Sequence, residues 1–253
     1  MSQPLAIDLF CGLGGWTEGL LAEDWYVVGF DNERHQYGDA KYPAHLVLQD
    51  VLTLHGKQFK DAALIVASPP CQEFSYMAMP WSRAKAKERD FLEGRDDPKR
   101  LTSLFDACFR IQREAIEAAG QFIPLVVENV RGAQKWVGRS RWNYGSFHLW
   151  GDVPALMPMG KHMKNGSGGS WFGLNPDGSP GALNNARDSK NVIGAEVNND
   201  GLKLPGNNSP DRWSDRAVAR LKDYPSSSRK AASATIAKIP FPLSKYIAAH
   251  FKP

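Results

Sequence analysis

Leu5-Ala6-Ile7-Asp8-Leu9-Phe10-Cys11-Gly12-Leu13-Gly14-Gly15 is the stretch that decides the fold, because an apolar run leads directly into a glycine-rich turn. Leu5 to Leu9 predicts a first strand, Thr17 to Glu23 predicts a helix, and Tyr26 to Phe30 predicts a second strand. A strand, a tight turn, a helix and a second strand form a βαβ unit with parallel strands. The start of the chain therefore indicates an α/β protein.

Further apolar runs continue this pattern. Strands are predicted at His45 to Leu48, Leu64 to Ala67 and Leu125 to Val127, and the spacings between them favour helical crossovers over hairpins. Apolar residues from Leu101 to Ala119 recur at steps of three and four, which is typical of a helix with one buried face. We therefore predict an α/β fold with a doubly wound, mostly parallel sheet.

The composition is that of an ordinary globular protein. Of the 253 residues, 42% are hydrophobic and 23% are charged, which excludes a fibrous repeat or a wholly disordered chain. A net charge of +4 fits an anionic partner without deciding for one. Cys11, Cys71 and Cys108 lack metal-ligand spacing, and no apolar stretch reaches transmembrane length. We expect a soluble cytoplasmic protein with no metal and no membrane partner.

A stiff turn follows the predicted strand Leu64 to Ala67. Ser68-Pro69-Pro70-Cys71-Gln72-Glu73-Phe74-Ser75 contains two prolines, each of which fixes its own φ and removes an amide donor. Cys71 is thus presented at the carboxyl end of a buried strand, where open α/β sheets bind their ligands. This position indicates a nucleophile, whereas a cysteine taken alone can be a small buried apolar residue.

Glu128 ends another predicted buried strand, in Leu125-Val126-Val127-Glu128-Asn129-Val130. Because the carboxyl ends of parallel strands meet at one edge of a sheet, Cys71 and Glu128 could converge on one substrate. Taken alone, Glu128 could be a helix cap or a surface carboxylate. A thiolate and a carboxyl group can act together on one substrate, so the placement of both residues at one edge favours catalysis.

The glycine turn is a candidate nucleoside site. Gly12 and Gly14 let a ligand approach the backbone, and Asp31, after the second strand, could accept hydrogen bonds from ribose hydroxyls. The spacing lacks the third glycine of the dinucleotide fingerprint, which favours a smaller nucleoside ligand. Simple turn geometry is the alternative. Asp50, after the third strand, could bind an adenine amino group or cap the end of the strand.

Three motifs together resemble those of one enzyme family. Asp8 to Gly15, Ser68 to Ser75 and Glu128-Asn129-Val130, in this order and spacing, are similar to the signature motifs of the DNA cytosine carbon-5 methyltransferases, over roughly residues 5 to 150. The resemblance implies a Rossmann-like fold of the class I methyltransferase type, S-adenosylmethionine as methyl donor, and a flipped-out cytosine of double-stranded DNA as substrate. The compact chain looks like phage- or prophage-encoded members.

The resemblance also implies a role for each matching residue. Cys71 would attack carbon 6 of cytosine, and a protonated Glu128 would bond ring nitrogen 3 and the amino group. Carbon 5 would then accept the methyl group, and loss of its proton would expel the cysteine. The residues that would bind the cofactor are Phe10, Gly12, Leu13, Gly14, Asp31, Asp50 and Pro70.

Arg139-Ser140-Arg141 has the form of an Arg-x-Arg pair that the family carries near the base. By this resemblance Arg139 and Arg141 are candidate catalytic residues. They could also help to lower the pKa of Cys71, because a free cysteine has a pKa of about 8.5. The pair stands only 11 to 13 residues after Glu128, which is closer than the family pattern. Contact with base or phosphate and simple surface solvation therefore both stay open.

Composition divides the chain into three parts. We predict a catalytic domain at residues 1–156, a small loop-rich target-recognition region at 157–225, and a C-terminal segment at 226–253 that packs back on the catalytic domain. A basic segment after Cys71 could be a lid that contacts DNA phosphates or a solvated helix face. Its cations are Arg83, Lys85, Lys87 and Arg89.

Three other functions stay open at this point. One branch of the family methylates transfer RNA, so the polymer could be RNA. The chain could instead be an inactive DNA-binding relative, which the presence of Cys71 and Glu128 argues against. A nicotinamide-dependent oxidoreductase is disfavoured by the glycine spacing. We expect a monomer, because enzymes that act on one strand at a time commonly work alone.

Overall fold

The computed structural model describes residues 2–71, 74, 86, 89–90, 93–94, 97–144, 147–157, 234 and 237–253. Nearly all of these residues belong to one unit, which is formed by 1–159 and 238–253. The predicted recognition region, apart from its first residue, lies outside the described residues. The predicted lid cations Arg83, Lys85 and Lys87 lie outside them as well.

Nine strands and four α-helices occur in the described part of the chain. The strands are β1 (Leu5–Leu9), β2 (Tyr26–Asp31), β3 (Gln36–Tyr37), β4 (Ala40–Lys41), β5 (His45–Leu48), β6 (Leu64–Ala67), β7 (Leu125–Val130), β8 (Trp142–Tyr144) and β9 (Phe147–Gly151). The helices are α1 (Gly15–Ala22), α2 (Pro98–Ala119), α3 (Gln134–Val137) and α4 (Phe241–Phe251).

Seven of the described strands form one sheet in the order β5-β2-β1-β6-β7-β9-β8. The pairs from β5 to β7 are parallel, and β9 runs antiparallel to both β7 and β8. Ile7 of β1 lies between Val28 of β2 and Ile65 of β6. The chain winds outward in both directions from β1 and β6, so the topological switch point lies between these two strands. The predicted doubly wound, mostly parallel α/β fold is confirmed.

Only some of the predicted crossovers are helical. Helix α1 links β1 to β2, and helix α2 lies between β6 and β7. The path from β2 to β5 instead contains the β3–β4 hairpin, and the path from β5 to β6 contains two 3-10 turns, Val51–Thr53 and Gly56–Phe59. Asp50 caps the first turn by accepting a hydrogen bond from Leu52 N. The β3–β4 hairpin occupies the first connection and the two 3-10 turns occupy the second. The prediction of helical crossovers is therefore wrong for both connections.

Helix α2 covers one face of the sheet. Asp97 caps its start by accepting a hydrogen bond from Lys99 N, and Gly120 ends it with a left-handed φ of 65°. Glycine adopts this conformation without the steric cost of a Cβ. The core between this helix and the sheet contains Ile65, Phe105, Cys108, Ile111 and Val127.

Helices α1 and α4 cover the other face. They approach closely at Gly19, because a Cβ there would overlap the backbone of Ser244 and Lys245. The indole N–H of Trp25 donates a hydrogen bond to the carbonyl of Ala248 at 3.1 Å, which fixes α4 against the end of the βαβ unit. The core on this face contains Trp16, Leu20, Val66, Val126, Leu243 and Ile247. Helix α4 is thus an integral part of the fold.

Two features are absent from the described part of the chain. None of its helices is both long enough and apolar enough to span a membrane. No group of three or more His, Cys, Asp or Glu side chains is arranged there to hold a metal ion.

Candidate active site

The turn after β1 has an unusual backbone. Phe10, Gly12 and Gly14 have positive φ angles of 58°, 50° and 80°. A positive φ is rare for a bulky residue, and such strain is often found at functional sites. The space beside Gly12 is open, whereas a Cβ on Gly14 would collide with Pro43. The turn therefore leaves a cradle at the switch point of the sheet.

Asp31, at the end of β2, closes this turn. Its Oδ2 accepts a hydrogen bond from Gly12 N at 2.9 Å, and its Oδ1 accepts one from Glu33 N at 3.3 Å. His35 Nε2 lies 3.6 Å from Oδ1. The carboxylate is buried beside the cradle. Asp31 thus fixes the conformation of the turn, and its role toward ribose hydroxyls stays a prediction.

Thr17 of α1 belongs to a buried group of hydrogen-bonded polar side chains, together with Asp8 and Tyr42. Thr17 Oγ1 donates a hydrogen bond to Asp8 Oδ2 at 2.6 Å, and it lies 2.7 Å from the hydroxyl of Tyr42. Burial raises the pKa of Asp8 to about 7, although the hydrogen bond from Thr17 opposes the rise. Among the described residues, Asp8 Oδ1 is buried without a hydrogen-bond partner. Because an unpaired buried oxygen is costly, it can accept a donor from a ligand or water.

These residues fit a nucleoside cofactor. The open side of Gly12 leaves room for a ligand at the backbone, and the carboxylate of Asp31 lies against the same turn. Phe10, half-buried and held at a positive φ, offers an aromatic side chain at the start of the turn. The unpaired oxygen of Asp8, two residues before Phe10, is one further hydrogen-bond acceptor. The cofactor roles of these residues stay predictions.

The other predicted cofactor residues lie in different surroundings. Leu13 is buried, and Pro70 is exposed at the start of the loop that carries Cys71. Asp50 is exposed, and its Oδ1 accepts a hydrogen bond from Leu52 N at 2.9 Å. One oxygen of Asp50 therefore caps the turn after β5. A role toward adenine would use the remaining oxygen and stays a prediction.

Asn129 anchors the loop that carries Cys71. Its Nδ2 donates a hydrogen bond to the carbonyl of Pro69 at 3.0 Å, and its Oδ1 accepts one from Val130 N at 2.8 Å. Asn129 and Pro69 are both buried, so water does not compete for this bond. Cys71 follows the anchor by two residues and is half-buried. The end of β7 thus positions the loop that follows β6.

Glu128 is a buried carboxyl group beside this loop. Burial raises its pKa from 4.5 to about 8, and a hydrogen bond from Ser68 opposes the rise. Ser68 Oγ in turn accepts a hydrogen bond from the indole N–H of Trp16 at 3.0 Å. The Ser68 hydroxyl is therefore oriented between an indole donor and a carboxyl acceptor. At neutral pH Glu128 is mostly protonated, which is the form that can donate a hydrogen bond.

The pKa of the Cys71 thiol is raised. Burial is the main cause, the negative charge of Glu128 adds to it, and a backbone hydrogen bond to Cys71 opposes it. Arg139 and Arg141 are not among the groups that shift this pKa, and burial outweighs the backbone hydrogen bond, so the expectation that these arginines help to lower the pKa of Cys71 is wrong. The charge of Glu128 acts on this thiol, and the two residues belong to the neighbouring parallel strands β6 and β7 or to the loop that follows β6.

Arg139 and Arg141 lie in a different place. They line a cleft of about 480 Å³ at the edge formed by α2 and β9, and neither Cys71 nor Glu128 lines this cleft. Both arginine side chains are exposed. This cleft thus contains the two arginines without the cysteine and the glutamate, and the catalytic role of the arginines stays a prediction.

Sequence reasoning gave no role to four residues that shape the site. The sequence gave one indication of a role for Asp8, because a carboxylate inside an apolar strand needs a buried partner. Its partner Thr17 could not be read from spacing, because the contact depends on how α1 packs. Ser68 and Asn129 stand inside the quoted motifs, directly beside the prolines and Glu128, and that position was a usable signal.

Comparison with protein families identifies the chain. A family model described as C-5 cytosine-specific DNA methylase matches residues 5–136, which is just over half of the 253 residues. The chain belongs to the C-5 cytosine-specific DNA methylase family. The resemblance seen in the motifs is thereby confirmed, and membership implies S-adenosylmethionine as the methyl donor. No curated protein matches this family member significantly.

Several solved structures are similar to this C-5 cytosine methylase. A candidate DNA modification methyltransferase encoded within an E. coli prophage is 22% identical with a TM-score of 0.35, over 52% of this chain and 33% of that chain. The S. pombe Dnmt2 methyltransferase is 18% identical with a TM-score of 0.34, over 54% and 37%. The Entamoeba histolytica methyltransferase EhMeth is 17% identical with a TM-score of 0.35, over 55% and 41%. The matches cover well under half of each of those chains.

Proposed function

We propose that the chain methylates carbon 5 of cytosine in double-stranded DNA, with S-adenosylmethionine as the methyl donor and a covalent bond to Cys71 as the intermediate. One observation carries the proposal. Cys71 follows β6, and Glu128, which is buried and has a pKa raised to about 8, lies on the neighbouring parallel strand β7 and raises the pKa of Cys71 when it is ionised. A nucleophile beside a hydrogen-bond-donating carboxyl group suits attack on a ring whose nitrogen must take up charge.

The chemistry begins with the poor nucleophilicity of cytosine carbon 5. The Cys71 sulfur forms a bond to carbon 6, and the electron pair of the 5,6 double bond shifts to a 4,5 double bond with charge on nitrogen 3. The carboxyl proton of Glu128 is donated to that nitrogen as a hydrogen bond. Carbon 5, now enamine-like, accepts the methyl group.

The second half of the reaction releases the enzyme. A base, for which water suffices, removes the proton from carbon 5. The electron pair of that C–H bond forms the 5,6 double bond again, and the bond between carbon 6 and sulfur breaks. Cys71 leaves as a thiolate, so the chain returns to its starting state without an added oxidant or reductant.

The cofactor would be held at the switch point. Gly12, Gly14 and Phe10 would line it, and Asp31 would accept hydrogen bonds from its ribose hydroxyls. S-adenosylmethionine, when bound, supplies an electrophilic methyl group. We also assign the choice of target bases to residues 157–225, because their glycine-, asparagine- and serine-rich sequence predicts loops, which suit groove contacts.

DNA is the substrate that the observations favour. The family model describes DNA methylases, and the net charge of +4 suits a polyanion. The cytosine must leave the base stack to reach Cys71, because carbon 6 is not accessible inside a duplex. Transfer RNA is the second polymer that the chemistry allows, and the experiment below separates the two.

Covalent trapping tests the proposal. Duplex DNA that contains 5-fluorocytosine is incubated with the full chain and S-adenosylmethionine, and products are separated on a denaturing gel. Fluorine cannot leave carbon 5 as a proton does, so the adduct accumulates. We expect an adduct with wild type and with Cys108→Ser, which removes a thiol buried in the α2 core, and none with Cys71→Ser.

The substrate arm uses transfer RNA that contains 5-fluorocytosine under the same conditions. An adduct on RNA alone would contradict the choice of DNA and keep the chemistry. An adduct that persists in Cys71→Ser would contradict the nucleophile. No adduct on either polymer, with S-adenosylmethionine binding shown by calorimetry, would contradict catalysis.

A further inference from the structure

Three side chains on one face of the sheet form a hydrogen-bonded row that ends at Glu128. Val66 of β6 and Val126 of β7 pair in register, and both belong to the core that α1 and α4 cover. Side chains two residues further along a strand point to the same face. Ser68 and Glu128 stand two residues beyond this pair. Both side chains therefore point toward the α1 side of the sheet, where Trp16 also lies.

Ser68 is held through both its backbone and its side chain. Its N–H donates a hydrogen bond to the carbonyl of Leu9 at 3.1 Å, so it continues the ladder of β6. Its Oγ accepts a hydrogen bond from the indole N–H of Trp16 at 3.0 Å. An indole nitrogen can only donate, so the hydroxyl proton of Ser68 must point elsewhere. The hydroxyl donates this proton to the carboxyl group of Glu128.

The direction of this hydrogen bond fixes the arrangement of the Glu128 carboxyl group. A protonated carboxyl group has a carbonyl oxygen, which accepts a hydrogen bond, and a hydroxyl oxygen, which donates one. The oxygen that accepts from Ser68 serves as the carbonyl oxygen, so the proton resides on the other. Among the described residues, no second side chain bonds this carboxyl group. The donating oxygen is therefore left for a substrate.

We propose that Ser68 and Trp16 are positioning residues, which decide which oxygen of Glu128 carries the proton that bonds nitrogen 3 of cytosine. This inference rests on the proposed function, because it deepens the role given there to Glu128. Ser68 contacts the carboxyl group, and Trp16 acts through Ser68. Trp16 is the second residue of α1. The helix that begins at the cofactor turn therefore also orients the acid.

Loss of the Ser68 hydroxyl has two separable effects. A hydroxyl that donates to a carboxylate stabilises its ionised form, so the loss raises the pKa of Glu128 above the wild-type value of about 8. The carboxyl proton is then no longer confined to one oxygen, so methyl transfer slows as well. Loss of the indole N–H of Trp16 acts through the same hydroxyl and gives a smaller change in the same direction.

NMR titration of carbon-13-labelled glutamate carboxyl groups tests the first effect in the full chain without substrate. The Glu128 resonance is assigned by its absence in Glu128→Gln. We expect its midpoint to move to higher pH in Ser68→Ala, and by less in Trp16→Phe. Ser68→Thr keeps a hydroxyl and should stay close to wild type. Trp25→Phe is the matched control, because it removes an indole N–H that bonds Ala248, and it should leave the midpoint unchanged.

Transfer of a tritiated methyl group from S-adenosylmethionine to genomic duplex DNA tests the second effect. Ser68→Ala should lower kcat about tenfold or more, with an unchanged KM for S-adenosylmethionine, because Ser68 lies outside the cofactor turn. Trp16→Phe should lower kcat by less. It should cause no further loss in Ser68→Ala, because both changes act on one hydroxyl. Ser103→Ala removes a hydroxyl that bonds the Arg100 carbonyl on α2 and should keep the wild-type kcat.

Three results would overturn the positioning role, with folding checked by circular dichroism. They are an equal Glu128 midpoint in wild type and Ser68→Ala, an equal kcat in these two proteins, and a loss from Trp16→Phe that adds fully to that of Ser68→Ala. The titration needs no turnover, so it decides the role of Ser68 even if wild type transfers no methyl group. Absence of transfer would contradict the proposed function, whereas an unshifted midpoint would contradict the positioning role alone.

Discussion

At the scale of single residues, Cys71 and Glu128 have coupled protonation. The negative charge of an ionised Glu128 raises the pKa of Cys71, and burial keeps Glu128 protonated up to a pH of about 8. While Glu128 carries its proton, this charge is absent and the thiolate is easier to form. The two groups titrate as a pair, so a pH–activity profile reports the pair. Neutral pH therefore favours the protonated, hydrogen-bond-donating form of Glu128, whereas the raised pKa of Cys71 favours its thiol form.

The pKa of Glu128 makes the stability of the protein depend on pH. The folded-state pKa of about 8 lies above the ordinary value of 4.5, so the folded state binds more protons between these values. The free energy of unfolding should therefore fall as pH rises from 4.5 to 8, by up to about 1.4 kcal/mol per pH unit from this group. In Glu128→Gln this part of the slope should vanish, as urea denaturation at several pH values would show.

Glu117→Gln is the matched control, because Glu117 is an exposed glutamate on α2. Its slope should equal that of wild type. Asp8, whose pKa is about 7, contributes a slope of the same sign in all three proteins. An unchanged slope in Glu128→Gln would contradict the raised pKa of Glu128.

The residues proposed for the chemistry could be predicted from the sequence, whereas their electrostatic surroundings could not. Cys71 and Glu128 follow apolar strands, and parallel strands end at a common edge, so their convergence follows from topology. The raised pKa of Cys71 depends on how deeply the loop is buried, which no motif reports. The position of Arg139 and Arg141 in a separate cleft depends on the β8–β9 pairing, so it could not be predicted from the sequence either.

At the scale of elements, one hydrogen bond connects the end of β7 to the loop after β6. Asn129→Leu has similar volume but leaves the buried carbonyl of Pro69 without a donor. We expect a loss of about 1–3 kcal/mol in the free energy of unfolding. The rate of Cys71 alkylation by iodoacetamide should rise, because the loop is no longer anchored. Denaturation curves and mass spectrometry measure the two effects.

Gln49→Leu serves as the control for this substitution. Gln49 is exposed, and among the described residues its side-chain amide bonds the Thr53 hydroxyl alone, at 3.2 Å. Its removal should change stability by less than about 0.5 kcal/mol. Equal effects of Asn129→Leu and Gln49→Leu would show that the Asn129–Pro69 bond does not hold the loop.

The start of α1 depends on Gly14. Gly14→Ala places a Cβ on a residue with a φ of 80° and against Pro43. Gly120→Ala meets the same kind of backbone strain at a φ of 65°, but its Cβ has open space. We expect Gly120→Ala to cost about 1 kcal/mol and Gly14→Ala clearly more. Thermal unfolding of both variants measures the difference, and equal losses would contradict a role for the contact with Pro43.

The bounds of α1 show where local patterns fail. The sequence predicts a helix from Thr17 to Glu23, but α1 begins at Gly15. Glycine is a poor helix former, so the pattern gave no reason to include it. Tertiary packing overrides this preference, because a Cβ on Gly15 would overlap the backbone of Ile239. The strands β1, β5 and β6 match their predicted bounds, since continuous apolar runs mark them.

At the scale of the whole molecule, α4 closes the core on the α1 face of the sheet. Ile247 is fully buried in this core. Ile247→Ala should cost about 2–5 kcal/mol, and amides of α1 should lose protection from hydrogen exchange because α4 packs on that helix. Phe241→Ala removes a larger side chain that is 46% exposed, so it should cost less. Similar losses in both variants would contradict the packing of α4 on α1.

The sheet as a whole was predictable up to β7 and not beyond it. Alternating α and β patterns specify a parallel sheet, which covers β1, β2, β5, β6 and β7. Residues 142–151 gave no strand prediction, yet β8 and β9 extend the sheet there. Strand β9 pairs antiparallel to β7, with Glu128 opposite Leu149, and this order depends on tertiary contacts.

The position of α4 in the chain has a consequence for biosynthesis. The 78 residues from 160 to 237 separate it from the rest of its unit. A ribosome that adds 5–20 residues per second needs about 4–16 s to make this interval. Throughout that time the apolar surface around Trp16 and Leu20 is already synthesised, while the helix that covers it is not. We therefore expect nascent chains to depend on chaperones until translation passes residue 251, and rapid overexpression to favour inclusion bodies.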